Sequence, residues 1–284
     1  MEEKLESKLY FCPTPIGNLG DITLRVIRVL EGCGAVYCED TRRTGILLQH
    51  LGLAGKPRFS CHSHNEAQRA EEIGQRVLRG EAVAYVSDAG MPGISDPGER
   101  LIGHCLEKGI PFEVLPGPSA SLTALVSSGL PAAEAVFVGF LPRAGKERRE
   151  AIGRLARQPG SLILYESPLR LGATAAELCA AWGDRPAALC RELTKVHGEV
   201  IHASLSALAE RYQDTPPRGE CVLVIGGRQA GAPAPASLEE TLRGLIARGL
   251  RAKDAAKEAS LLLDVPRNQA YKIALELLAQ EEGR

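Results

Sequence analysis

Residues 82–98 read Ala-Val-Ala-Tyr-Val-Ser-Asp-Ala-Gly-Met-Pro-Gly-Ile-Ser-Asp-Pro-Gly. Residues 82–87 form an apolar run without alternation, the pattern of a strand covered on both faces. The loop that follows, 87–98, is longer and more structured than a default connector. Gly90, Gly93 and Gly98 permit positive φ, while Pro92 and Pro97 fix their own φ and stiffen the rest. A helix fits 99–108 and a further strand fits 112–115. That strand runs into a rigid turn, Pro116-Gly117-Pro118-Ser119-Ala120.

The same order stands upstream. A short strand at 8–12 is followed by Pro13-Thr14-Pro15-Ile16-Gly17-Asn18-Leu19-Gly20. Asp21 is placed to N-cap a helix whose Ile22, Val26, Val29 and Leu30 share one face. A strand at 35–38 ends in Glu39-Asp40, and a helix fits 44–51. Strand, special loop and helix in alternation imply a parallel α/β sheet. Ligands of such sheets bind beyond the carboxyl ends of the strands, where all three unusual loops fall. This N-terminal α/β domain is read as 1–124. Strand-like runs at 136–140, 162–165, 187–190 and 221–225, with a basic helical stretch at 143–157, give a second α/β domain over 125–228. Residues 229–237 read as an extended linker. The Ala/Leu-rich tail, 238–284, reads as a helical C-terminal domain of two or three short helices, resembling a helix-turn-helix unit.

Composition narrows the function. With 284 residues, 44% hydrophobic and 24% charged, the chain is long enough for a real core and is not disordered, collagen-like or a coiled coil. Aromatics at 4% argue against a stacking platform for single-stranded nucleic acid. A net charge of −1 means that any nucleic-acid partner must be held by a local basic patch. The 8 cysteines form no Cys-x-x-Cys pair and sit singly in apolar runs, as free thiols in a reducing compartment do. The charged first residues lack an apolar signal core, and no apolar stretch reaches the roughly 18 residues of a membrane span. A cytoplasmic location without membrane contact is expected.

Several motifs suit chemistry. The first loop, with Glu39-Asp40 about 20 residues beyond it, has the spacing of a dinucleotide site. It lacks Gly-x-Gly-x-x-Gly, however, and its two prolines remove N–H donors, so a plain strand-to-helix turn competes. In the second loop Asp88 and Asp96 offer carboxylates to an ammonium, a sulfonium or hydroxyls; the bland alternative is Asx-turn chemistry that shapes the loop. Ser119 is either a ligand contact or an N-cap. Cys61-His62-Ser63-His64 has no second ligand cluster, so no metal is expected; the stretch is an ordinary loop or an RNA-contacting rim. Arg143, Lys146, Arg148 and Arg149 form a candidate phosphate-binding face, the alternative being a solvated helix surface.

Taken in order, Pro-Thr-Pro-Ile-Gly-Asn-Leu-Gly-Asp at 13–21, Glu-Asp-Thr-Arg at 39–42, Val-Ser-Asp-Ala-Gly-Met-Pro at 86–92, Asp-Pro-Gly at 96–98, Leu-Pro-Gly-Pro-Ser-Ala at 115–120, Gly-Phe-Leu-Pro at 139–142, Tyr-Glu-Ser-Pro at 165–168 and Arg-Glu-Leu-Thr-Lys at 191–195 resemble the tetrapyrrole-methylase-fold methyltransferases. The resemblance covers about residues 8–226 and is closest to the ribosomal RNA branch, small-subunit methyltransferase I. It implies two α/β domains with S-adenosylmethionine in the cleft between them, usually in a homodimer. It also implies methyl transfer to the ribose 2′-hydroxyl of a cytidine in the decoding region of 16S rRNA, within the small ribosomal subunit. Porphyrin-modifying relatives carry Gly-x-Gly-Pro-Gly-Asp where this chain has Ile-Gly-Asn-Leu-Gly-Asp. Met91 departs from the small polar residue common in the rRNA branch. Carried over, the cofactor contacts are Pro15, Asp88, Ala89, Gly90, Met91, Ser119, Ala120, Tyr165, Glu166 and Leu193. Glu39, Asp40 and Arg42 are candidates for the base, or the cation, that assists a ribose hydroxyl, with Glu166, Glu192 and Lys195 as further candidates. The rivals are a tetrapyrrole methyltransferase of the same fold, a non-catalytic ribosome assembly factor and a nicotinamide-dependent oxidoreductase.

Overall fold

The computed structural model describes residues 4–95, 98–228, 238–263 and 265–282. Asp96, Pro97 and the linker at 229–237 lie outside the described residues. The chain divides into two compact units, residues up to Thr123 together with 192–198, and residues 124–191 together with 199 onward.

The first unit is built on β1 (Leu9–Cys12), α1 (Leu24–Gly32), β2 (Ala35–Cys38), α2 (Thr41–His50), β3 (Arg58–Ser60), α3 (Glu66–Leu78), β4 (Val83–Val86), α4 (Glu99–Lys108) and β5 (Phe112–Val114). The sheet order is β3-β2-β4-β1-β5 and every pairing is parallel. The period of two along each strand splits the side chains between two faces. Leu9, Phe11, Ala35, Tyr37, Val83 and Tyr85 join Ala70, Ile73 and Val77 of α3 and Leu101 and Cys105 of α4. Tyr10, Cys12, Val36, Cys38, Ala84 and Val86 join Val26, Val29 and Leu30 of α1 and Leu48 of α2. Both faces are covered, which is why these strands read as unbroken apolar runs. The connection leaving β1 runs over one face and that leaving β4 over the other. The two strands are neighbours, so their loops diverge at a topological switch point, the usual place for a ligand crevice.

Some local readings change. Thr23, not Asp21, caps α1: its hydroxyl accepts the Val26 N–H at 3.2 Å. Asp21 ends a short 3₁₀ turn, Leu19–Asp21, capped by Asn18. Helix α2 starts earlier than the periodicity suggests, at Thr41, because Asp40 caps it. Strand β3 and helix α3 escaped the reading of the sequence: β3 is a three-residue edge strand, too short for a period to register.

Helix α5 (Ala120–Ser127) leads into the second unit. There β6 (Ala135–Phe140), α6 (Gly145–Leu155), β7 (Ser161–Glu166), α7 (Leu171–Trp182), β8 (Pro186–Arg191), β9 (Glu199–Ser204), α8 (Leu205–Arg211) and β10 (Cys221–Ile225) form a sheet of order β6-β7-β10-β8-β9. It is mixed: β6 and β7 run parallel, while β10 is antiparallel to β7 and β8, and β8 to β9. Among the described residues the tail forms three helices, α9 (Leu238–Ala247), α10 (Ala252–Leu263) and α11 (Arg267–Glu282), around Leu242, Leu245, Ala255, Ala259, Ala270, Ala274 and Leu277. No described helix is long and apolar enough to cross a membrane.

Candidate active site

Three loops meet at the carboxyl edge of the first sheet. Thr14 and Gly90 exchange backbone hydrogen bonds at 3.0 and 2.9 Å. The Thr14 hydroxyl donates to the Ser87 carbonyl at 3.0 Å, and the Ser87 hydroxyl donates to the Gly90 carbonyl at 2.7 Å. Gly90 has φ of 79°, and a Cβ there would stand 3.3 Å from Ile16 Cγ2 and 3.6 Å from the Pro118 carbonyl oxygen. Its missing side chain therefore marks where all three loops approach one another.

Leu193 belongs to this unit, not to the second domain as its place in the chain suggests. The Asn18 N–H donates to Thr194 Oγ1 at 3.1 Å, so segment 192–198 rests on the first loop. Glu192 and Thr194 hold φ of 51° and 65°. A β-branched residue in that region is a strained outlier. Pro15, Asp88, Ala89, Gly90, Met91, Ser119 and Leu193 thus lie in the loops of the first unit, and Ala120 opens α5 just beyond them. Ser119 also serves as a cap: its hydroxyl is 3.5 Å from the Leu122 N–H at the start of α5.

Beside these loops an open cleft of about 590 Å³ is lined by Glu39, Asp40, Thr41, Arg42, Arg43, Ser60, His62 and Asp88. It brings together the three catalytic candidates but gives them different characters. Asp40 accepts the Arg42 backbone N–H at 2.8 Å and the Arg42 guanidinium at 2.7 and 3.1 Å. That guanidinium holds the Asp40 carboxyl far below the usual carboxylate range, so Asp40 is a helix cap and a fixed anion, not a proton acceptor. The Arg42 side chain is otherwise 88% exposed. Burial, then the charge of Asp88, pushes the Glu39 carboxyl up, against the opposing charge of Arg43. Glu39 is the carboxylate best suited to take a proton. Asp88 accepts the Asp40 N–H at 3.1 Å and pairs with Arg43 at 3.4 Å. Arg43, Ser60 and His62 were not read as cleft residues, because placing Ser60 and His62 on this edge requires β3.

Tyr165 and Glu166 lie in the second unit at the carboxyl end of β7. Tyr165 meets the rings of Phe137 and Phe140 edge-on, at 5.2 and 5.6 Å. Glu166 is 1% exposed at its side chain. One oxygen accepts the Ser167 N–H at 2.7 Å and pairs with Arg170 at 2.7 Å; the other accepts the Thr174 hydroxyl at 2.8 Å. Its carboxylate holds the structure of β7 and α7.

The basic stretch divides as well. Arg143, Lys146 and Arg149 are exposed, with Lys146 3.4 Å from Glu150. Arg148 is not a surface cation. It is 8% exposed, and its guanidinium donates to Glu177 at 2.7 Å, to the Pro142 carbonyl at 3.0 Å and to Thr174 at 3.0 Å. Residue 148 faces the sheet side of α6 while 149 faces outward, a distinction that a count of cations does not carry. Among the described residues no group of three or more His, Cys, Asp or Glu is arranged to hold a metal ion.

Residues 8–209 match the family described as Tetrapyrrole (Corrin/Porphyrin) Methylases. The chain also resembles uroporphyrin-III C-methyl transferase from Thermus thermophilus, solved in complex with S-adenyl homocysteine. That likeness has a TM-score of 0.54 at 23% identity and covers 77% of this chain and 97% of that one, which shows a shared fold. Among curated sequences it is 41% identical over 277 residues to the ribosomal RNA small subunit methyltransferase I of Escherichia coli O157:H7, covering 95% of this chain and 96% of the relative. It is 38% identical over 275 residues to the protein of that name from Synechocystis, covering 95% and 98%. The chain belongs to the tetrapyrrole methylase family and, within it, to the ribosomal RNA small subunit methyltransferase I group.

Proposed function

We propose that this protein is an S-adenosylmethionine-dependent methyltransferase of 16S rRNA, acting on the ribose 2′-hydroxyl of a cytidine in the decoding region, cytidine 1402 in conventional rRNA numbering. Identity of 38% and 41%, over nearly the full length, to proteins named ribosomal RNA small subunit methyltransferase I supports this reading. The working form would be a cytoplasmic homodimer with the assembled small subunit as substrate.

The residues present fit the cofactor. Pro15, Ala89, Gly90, Met91, Ser119 and Ala120 offer main chain and uncharged side chains, which suits a ligand with its own sulfonium charge. Asp88 adds a carboxylate. When bound, the cofactor supplies an electrophilic methyl carbon, so the protein's main task is to hold the nucleophile in line. A ribose hydroxyl is a weak acid, and Glu39 would take its proton. Asp40 caps α2 and keeps Arg42 at the cleft mouth, where Arg42 and Arg43 can meet RNA phosphates. Arg143, Lys146 and Arg149 would add phosphate contacts that position the RNA without reading its sequence.

The test is methyl transfer from radiolabelled S-adenosylmethionine to small subunits lacking the native modification. Free 16S rRNA and a uroporphyrinogen-type substrate run in parallel, and the labelled nucleotide is mapped. Label on one ribose 2′-oxygen of the subunit is the expected result. Label on the porphyrinogen alone would overturn the rRNA reading, and failure to bind the cofactor would overturn the enzyme reading.

A further inference from the structure

His62 stands just beyond the carboxyl end of β3 and lines the same cleft as Glu39, Arg43 and Asp88. Its backbone N–H donates to Asn65 Oδ1 at 2.8 Å, and its ring meets the His64 ring edge-on at 5.8 Å. Nδ1 is buried and has no hydrogen-bond partner in the protein. A histidine kept for the fold alone ties a buried ring nitrogen to a carbonyl or a carboxylate, because an unmatched buried polar atom destabilises the fold. His62 carries that cost with no structural return. With no acceptor at Nδ1, we place the ring hydrogen on Nε2; His62 lines the cleft, and that N–H is the donor it can offer there.

We propose that His62 is a catalytic residue, donating its Nε2–H to the nucleophilic hydroxyl oxygen of the RNA while Glu39 takes the hydroxyl proton. The inference rests on the rRNA methyltransferase reading above. The O–H bond breaks and its proton passes to the Glu39 carboxylate. The oxygen bonds to the methyl carbon, and the pair of the carbon–sulfur bond stays on sulfur. His62 keeps its own hydrogen throughout. Its contribution is to stabilise negative charge gathering on the oxygen, in a cleft that already holds the carboxylates of Asp40 and Asp88. One donor aimed in this way is worth roughly 10²–10³ in rate.

The experiment compares His62→Phe, His62→Gln and His62→Asn with the wild type, by thermal unfolding, equilibrium binding to small subunits and single-turnover methyl transfer. His62→Phe is expected to be at least as stable as the wild type, to bind subunits equally well and to react roughly 10²-fold more slowly. The Gln amide nitrogen reaches the place of Nε2, so His62→Gln should recover much of that loss, whereas Asn, which mimics Nδ1, should not. A wild-type rate in His62→Phe, a loss of melting temperature that parallels the loss of rate, or equal rescue by Gln and Asn would each overturn the inference. A wild-type protein that binds the cofactor yet methylates no RNA would overturn the function reading and the inference together; an active wild type with an equally active His62→Phe overturns the inference alone.

Discussion

Glu39 and Glu166 both stand at the carboxyl ends of strands, yet their surroundings give them opposite work. Glu166 is closed in, and both its oxygens are matched by Ser167, Arg170 and Thr174. Glu39 lines an open cleft beside another carboxylate, in a setting that favours its protonated form. A buried carboxylate matched at both oxygens holds elements together. A partly buried one with a raised titration range can take a proton. The same contrast separates Arg148, buried and matched, from Arg149 next to it, which is exposed.

Substitutions can break this contrast. The largest expected effect is on rate: Glu39→Gln should slow single-turnover methyl transfer roughly 10³-fold with cofactor affinity unchanged, whereas a wild-type rate would remove Glu39 as the base. Next comes stability. Arg148→Ala strips a buried guanidinium from Thr174 and Glu177 and should cost about 3 kcal/mol in denaturant unfolding. A loss below about 0.5 kcal/mol would show that the network is slack. Arg149→Ala should leave stability within about 0.5 kcal/mol, weaken subunit binding a few-fold, and reduce the salt slope by about 1. If Arg148→Ala and Arg149→Ala behave alike, the division of the basic stretch is wrong.

The smallest effect is a pH dependence. The folded protein holds the Glu39 proton to a higher pH than the unfolded chain does. Glu39 therefore favours folding fully below the ordinary glutamate range, and that contribution is lost as pH rises through the folded value. Glu39→Gln cannot ionise, so its stability relative to the wild type should climb over that interval and then level off. A flat difference in unfolding free energy would show that Glu39 is not perturbed.

Much of the site was legible because it is local in sequence. A strand, a Gly/Pro loop and a helix each leave their own mark, so the three loops and their carboxyl-edge position followed from residues 8–20, 82–98 and 112–120. Glu39, Asp40 and Arg42 were legible as a strand end followed by a helix start. His62 was not, since β3 is three residues long and leaves no periodic trace; Arg43 was not, since its part in the cleft depends on pairing with Asp88, 45 residues away in the chain. Leu193 was assigned by chain order to the wrong unit, because nothing in residues 192–198 shows that a segment between β8 and β9 rests on the first loop.

By itself, the sequence determined the parallel α/β character of the first unit, its loop-bearing edge and the family of the chain. Those properties are written in apolar runs, turn residues and ordered motifs, each readable within a few neighbours. Only the tertiary structure decided which charged groups are matched and which are open. Burial and hydrogen bonding depend on partners far away in the chain, such as Glu177 and Thr174 for Arg148, or Asp88 for Asp40 and Arg43. It is this matching, not residue type, that separates an acid that holds the fold from one that can do chemistry.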